Sequence, residues 1–442
     1  MNSRITFHIS SRILLASAVT AVLSAGTAIA ATPASAATTM EGITRQLTAD
    51  PADAGQGSAA GASPAAHDRQ VLEVGGTSYF LTGATLPVNT RVRISGSLVG
   101  RSMRVSSSQA LTASAQTTAG LSTVSATGTT QVLVMLVDWT APDSVTPASA
   151  RQQMFADSNS WYRHASHGML GQSGDVTRWL HIAGPAGNKC FADYANVMSQ
   201  AKNAATSAGY VMNNYTNFVV YFPNDNTAGS DCGGYAGWSY VGAANIWLNG
   251  AMNRRAIVHE EGHNYGLGHG HSDLCSKVIQ GSCTFSDYGN DFDAMGAANY
   301  VGDFAASQKA DLGWMAGRIV DLTHGGRVGL HPLELRASST QAVRIRVSRT
   351  RSYWIEYRQP VGNDAGLPSS GTDGVLVNVR DSQISGDTGP SLLDLRPADG
   401  LSAETATLRP GTGWTTPEGY RISLGSVSAT GAAISVRAPA AR

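Results

Sequence analysis

Residues 259–269 read His-Glu-Glu-Gly-His-Asn-Tyr-Gly-Leu-Gly-His. These residue types, so spaced, can hold a metal ion with a carboxylate beside it. On a helix, His259 and His263 sit one turn apart and about 40° apart around the axis. Glu260 falls about 60° from His263, so it leans toward the same ion without occupying that face. Gly266 can adopt the left-handed conformation that ends a helix and turns the chain back. The turn brings His269 to the ion from a third direction. Three neutral imidazoles leave the fourth corner of a tetrahedral zinc ion open to water, which separates a catalytic zinc from a structural one. Such a zinc activates the water and polarises a carbonyl. Glu260 then serves as general base and passes the proton to a leaving amine.

Two plainer readings compete. Histidines on the surface of an amphipathic helix would not need the glutamate, and a metal site without chemistry gives Glu260 nothing to do. Further on, residues 288–296 read Tyr-Gly-Asn-Asp-Phe-Asp-Ala-Met-Gly. The two stretches together resemble the zinc signature and Met-turn of the metzincin metallopeptidases, with Met295 in the methionine's place. They look most like the gametolysin (autolysin) family, bacterial secreted type. The resemblance is carried by the motif and the turn and extends more loosely over residues 129–317.

The resemblance implies an α+β fold: a twisted mixed β-sheet with backing helices and a zinc helix. It also implies one catalytic zinc, a polypeptide substrate, and Met295 packed beneath the metal without binding it. Some metzincins place a tyrosine two residues after that methionine. Here the position is Ala297, and Tyr300 is out of register. No tyrosine is therefore assigned, and the oxyanion is left to the zinc or to a residue that the sequence does not identify. Asp291 and Asp293 are expected to hydrogen-bond the Met-turn or the ligand histidines. Glu261 replaces the apolar residue expected of relatives and should reach solvent or pair with Arg254 or Arg255. His271 offers a fourth ligand but falls beyond the closing turn, and His164, His167 and His181 could form a secondary metal site but read better as ordinary surface or core residues. Asp225 and Asp231, with Asn224 and Asn226, offer oxygen ligands for calcium. Two carboxylates are few for that ion, and a solvated turn is the better reading.

The rest of the chain must position this centre. Its 442 residues exceed one ordinary core. Charged residues are 14%, with 31 basic against 31 acidic, so no basic surface invites nucleic acid. Residues 1–36 have a positive start, an apolar run diluted by Ser and Thr, and a small-residue cleavage pattern ending at Ala36. This is a signal peptide by pattern, and nothing later is long and apolar enough for a membrane span. A secreted, monomeric protein without stable membrane association is expected. Four cysteines in an exported chain favour two disulfides, and of the three pairings Cys190–Cys232 with Cys275–Cys283 is preferred.

Residues 37–68 are Ala, Thr, Gly, Ser and Pro with little periodicity and read as a flexible lead-in. Short strand-like pieces punctuated by glycine over 69–108 read as a small β module, followed by a linker. The whole of 37–128 is expected to be a prosegment removed on activation, the rival being a permanent binding module. It contains no cysteine to cap a zinc. Latency would need a carboxylate such as Asp68 or Glu73, or simple blockage of the cleft. Alternating strand and helix patterns over 129–317 suit the catalytic sheet, and the metzincin resemblance implies that residues 243–248 are the strand that pairs with an extended substrate. Residues 318–442 turn to β patterns separated by Gly, Pro and Asp, which predict a C-terminal β-sandwich. The reading is a secreted zinc endopeptidase. Its alternative is a catalytically inactive metal-binding or cell-surface interaction protein.

Overall fold

The structure is a computed structural model that describes residues 37–51, 68–111, 124–225, 230–232, 234–275, 279, 283–296, 302–335, 338–368, 371–381, 389–397 and 406–440. The expected signal peptide, Asn226, Ala297 and Tyr300 lie outside these residues. Among the described residues, no helix is long and apolar enough to cross a membrane.

The chain begins with a closed barrel of five strands: β1 (Thr38–Pro51), β2 (Arg69–Val74), β3 (Thr77–Thr82), β4 (Arg91–Val99) and β5 (Ser102–Ala110). They follow the order β2-β3-β5-β4-β1, and β1 pairs again with β2 to close the ring. Leu72, Leu81, Val92, Ile94 and Met103 alternate inward to fill it. Residues 38–51, which composition makes a lead-in, are thus a strand. Its Thr, Met, Ile and Leu positions find partners on both edges, and tertiary pairing overrides a weak local pattern.

β6 (Gly128–Asp138) is an apolar run buried on both faces, as a central parallel strand requires. After it come α1 (Pro147–Arg151), a π-helical stretch over 152–158, α2 (Asn159–Ala165), β7 (Leu170–Val176) and β8 (Leu180–His181). Thr146 caps α1 through a reciprocal pair of bonds with Ser149. Next are α3 (Tyr194–Ser207), β9 (Asn217–Phe222), β10 (Tyr235–Tyr240), β11 (Asn245–Asn249) and α4 (Arg254–Asn264). The sheet runs β1-β10-β11-β9-β6-β7, so barrel and sheet share β1 and form one eleven-stranded sheet of described strands. β11, which overlaps the segment expected to meet substrate, is interior between β9 and β10. β10 lies beyond β11, and its other edge is paired with β1.

β12 (His271–Cys275) and β13 (Cys283–Ser286) follow the histidine motif directly, then α5 (Ala306–Asp311), β14 (Ile319–Asp321), β15 (Gly326–Leu330), β16 (Ala342–Arg346), β17 (Arg351–Tyr357), β18 (Val375–Asp381), β19 (Ser391–Leu393), β20 (Gly413–Thr415), β21 (Arg421–Ser428) and β22 (Gly431–Arg437). One sheet takes the order β13-β12-β19-β18-β17-β16-β14 and the other β15-β22-β21-β20. A shared core that includes Ile345, Ile355, Val377, Ile422 and Ile434 lies between them. β12 joins this sheet through a parallel pairing with β19.

These elements correct the expected fold class. Among the described residues strand makes up 41% against 18% helix, and a closed barrel is built into the sheet, so the structure is mostly β. A helix-backed α+β catalytic domain of metzincin type does not describe it. The alternation of strand and helix over 129–264 suggested that class, but strands before and after it outweigh the few short helices. Both disulfides of the preferred pairing form, Cys190–Cys232 and Cys275–Cys283. The second ties β12 to β13 at facing positions. Disulfides are consistent with an extracellular protein.

Candidate metal centre

Asn253 caps α4 by accepting a bond from the Ala256 amide at 3.0 Å. The helix stops at Asn264, and Gly266 takes the positive φ (98°) that turns the chain back. Asn264 anchors this end by donating to the carbonyls of Tyr240 and Asn245. The turn brings His269 against His263, with ring centroids 4.8 Å apart, while His259 and His263 are 5.0 Å apart. The three expected histidines therefore converge, each almost fully buried.

Two of their outward nitrogens are hydrogen-bonded to carbonyls, and the third faces a carboxylate without a hydrogen bond. His259 Nδ1 lies 2.8 Å from the Ala294 carbonyl, and His263 Nδ1 lies 2.8 Å from the Leu267 carbonyl. His269 Nδ1 faces the Asp287 carboxylate at 3.4 Å. Protons held at Nδ1 leave the Nε2 lone pairs pointing inward, the arrangement that orients metal ligands. Burial drives the His263 imidazole down to about 3, so it stays neutral.

The inward nitrogens surround a carboxylate that the sequence reading did not find. Asp50, near the end of β1, places Oδ1 3.1 Å from both His259 Nε2 and His269 Nε2, with Oδ2 3.7 Å from His263 Nε2. The four potential ligand atoms all lie within 4.8 Å of one another. His263 Nε2 and Asp50 Oδ2 are buried without a hydrogen-bond partner. Four convergent ligand atoms, two of them otherwise unpaired, fit a metal ion. Among the described residues no other group of three or more His, Cys, Asp or Glu does so. Asp231 accepts from the Phe191 and Ala192 amides and Asp225 from Ser230.

Glu260 lies beside this cluster. Its Oε2 accepts from the Ser239 hydroxyl at 2.7 Å, and Gly237 leaves the space its Oε1 occupies, since a Cβ there would stand 2.6 Å from it. Burial, with the neighbouring Asp50 carboxylate, pushes the Glu260 carboxyl well above its usual range. Tyr288 was overlooked as well. Its hydroxyl donates to Asp50 Oδ1 at 2.7 Å, and its ring lies 4.1 Å from that of His269. It opens the stretch that leads to Met295, but nothing in its spacing marks it as a site residue.

Met295 is fully buried with its sulfur against Gly262, where an added Cβ would collide with it. Asp293 accepts from the Met295 amide at 2.9 Å and thus holds the turn. Burial raises the Asp293 carboxyl to about 7. Asp291 is half-buried in the same turn. Glu261 does not reach solvent or an arginine. It is fully buried, accepts from Gln172 Nε2 at 2.6 Å, and is raised by burial to about 8. A proton held there spares the core an unpaired charge. His271 turns to Asp287, 3.0 Å away, rather than to the cluster, and His181 pairs with Asp138 at 2.7 Å.

No protein-family model and no curated protein matches this chain.

Proposed function

We propose that the protein is an exported zinc endopeptidase. The observation that carries this reading is the buried trio of Nε2 atoms with Glu260 beside it. Three imidazoles suit zinc, and a glutamate that is not itself a ligand is what peptide hydrolysis requires. The resemblance of residues 259–269 and Met295 to the metzincin signature supports the same assignment, as do the leader pattern and the disulfides. His259, His263 and His269 would hold the ion, which supplies Lewis acidity for polarising a carbonyl and activating water.

Glu260 accepts the proton of the attacking water and returns it to the departing amine. Ser239 keeps the carboxylate turned toward the site. Tyr288 donates to the oxygen that develops negative charge, since its hydroxyl already donates at 2.7 Å to the oxygen standing among the three histidines. Asp293 and Met295 support the floor.

One observation favours a second reading. Asp50 stands among the three Nε2 atoms and would supply a fourth ligand to an ion there, and a four-ligand site is the pattern of a structural metal. Gel zymography with and without chelator, alongside Glu260→Ala, separates the two. The variant should lose all proteolysis while zinc stays near one per chain. Undiminished cleavage by Glu260→Ala would sink the mechanism.

A further inference from the structure

We infer that β1 is a built-in inhibitor that shuts the site twice, through its backbone at the substrate edge and through Asp50 at the metal. The inference rests on the peptidase reading and names its regulation. β1 is longer than the barrel needs. Its first part pairs with β4 over 38–43 and with β2 over 43–47. Its last part leaves the barrel and pairs antiparallel with β10, Leu47 facing Tyr240 and Asp50 facing Gly237. An extended substrate adding a strand to this sheet would need the same edge.

The register then decides what reaches the centre. Successive side chains of a strand alternate between faces. Leu47 and Ala49 go into the core with Trp238 and Trp247, which sends Thr48 and Asp50 the other way. The side chain facing Gly237, alongside Glu260, is the Asp50 carboxylate. It fills the position that a catalytic ion must keep open for water. It also accepts the Tyr288 hydroxyl, so the donor assigned to the oxyanion is occupied too.

The barrel holds the strand in place. Arg45 Nε binds Glu73 at 3.0 Å, and Glu73 accepts from Tyr240 on β10 at 2.7 Å. Asn89 donates to the Val241 carbonyl at 3.2 Å, and Arg101 pairs with Asp193 at 2.9 Å. A prosegment without cysteine thus has a carboxylate and a strand to do the capping. Asp68 and Glu73, the carboxylates the composition suggested, are not the ones in the cluster. Release requires β1 to leave β10.

The test uses the zinc-loaded full chain as wild type, Asp50→Ala and the near-isosteric Asp50→Asn, the latter guarding against misfolding. Three quantities are read: zinc per chain, binding of acetohydroxamate as a small metal-seeking probe, and cleavage of a fluorogenic peptide. Both variants should keep their zinc and bind acetohydroxamate at least ~10-fold more tightly than wild type, as expected when a site open in a small fraction of molecules is released. Peptide cleavage should rise with it. Loss of zinc from both variants would make Asp50 a permanent ligand and overturn the inference. So would a wild-type chain that binds the probe and cleaves as well as the variants. If the variants gain probe binding but cleave nothing, the lock stands and the peptidase reading fails.

Discussion

Replacing Tyr288 by phenylalanine isolates one hydroxyl. The ring keeps its place against His269, 4.1 Å between centroids, and His259, 6.1 Å away. Only the donor 2.7 Å from the oxygen of Asp50 is lost. That oxygen lies 3.1 Å from two histidine Nε2 atoms, where on the proposed peptidase reading a reacting carbonyl oxygen would stand once Asp50 has gone. Tyr288 is almost fully buried, so water cannot replace its hydroxyl cheaply. Removing one such donor from a preorganised site costs about 2.7–4 kcal/mol, or ~10²–10³ in kcat. The comparison is made in the Asp50→Ala chain, with and without Tyr288→Phe, by steady-state peptide cleavage and zinc analysis. A fall in kcat with KM nearly unchanged marks a contact made only in the transition state. In the chain with Asp50 intact the same change should weaken latency, because the carboxylate loses a bond. A kcat within about threefold of the parent would refute the role, and zinc loss in step with activity would reassign Tyr288 to holding the site together.

The turn that carries Met295 is held from the C-terminal strands. Arg358, fully buried, pairs with Asp364 at 2.8 Å and Glu334 at 3.3 Å and donates to the carbonyls of Phe292, Asp303 and Phe304. Arg358→Met should cost about 3–5 kcal/mol in denaturant unfolding, since it strands buried carboxylates. A loss under about 1 kcal/mol would count against that account. On α3, burial lowers the Lys202 ammonium to about 8 even though it lies 3.7 Å over the Phe218 ring and near Glu73. Its folded pKa is below the unfolded value, so the group destabilises the fold at neutral pH, and this penalty fades as pH rises from about 8 toward 10.5. Lys202→Met should therefore gain about 1–2 kcal/mol at pH 7, after discounting the lost ring contact and residual exposure, and progressively less toward pH 10. A gain independent of pH would point to packing alone.

What could be read from the chain itself was local. The spacing of His259 and His263 on one helical turn, the break at Gly266 and the return of His269 follow from helix geometry and from glycine's freedom at positive φ. β6 and β9 announced themselves as apolar runs, and Cys275–Cys283 as a short loop. The fold class was not local. Alternating strands and helices in the middle of the chain pointed to α+β. Whether strands pair into a barrel, and whether that barrel merges with the sheet, depends on partners far away in sequence.

The same holds for the site. Glu261 carries a charge that sequence assigns to the surface, yet the packing of α4 against Gln172 buries it. Asp50 lies 209 residues before His259 and Tyr288 lies 238 after Asp50. No periodicity links such positions. Asp50 sits in a stretch whose composition reads as a flexible lead-in, and only the register of β1 on β10 aims its carboxylate at the histidines. A shift of one residue would send Ala49 there instead. Local stereochemistry determined that three histidines converge with a glutamate beside them, whereas strand pairing across the chain decided what faces them, because register is a property of two strands and is written in neither one alone.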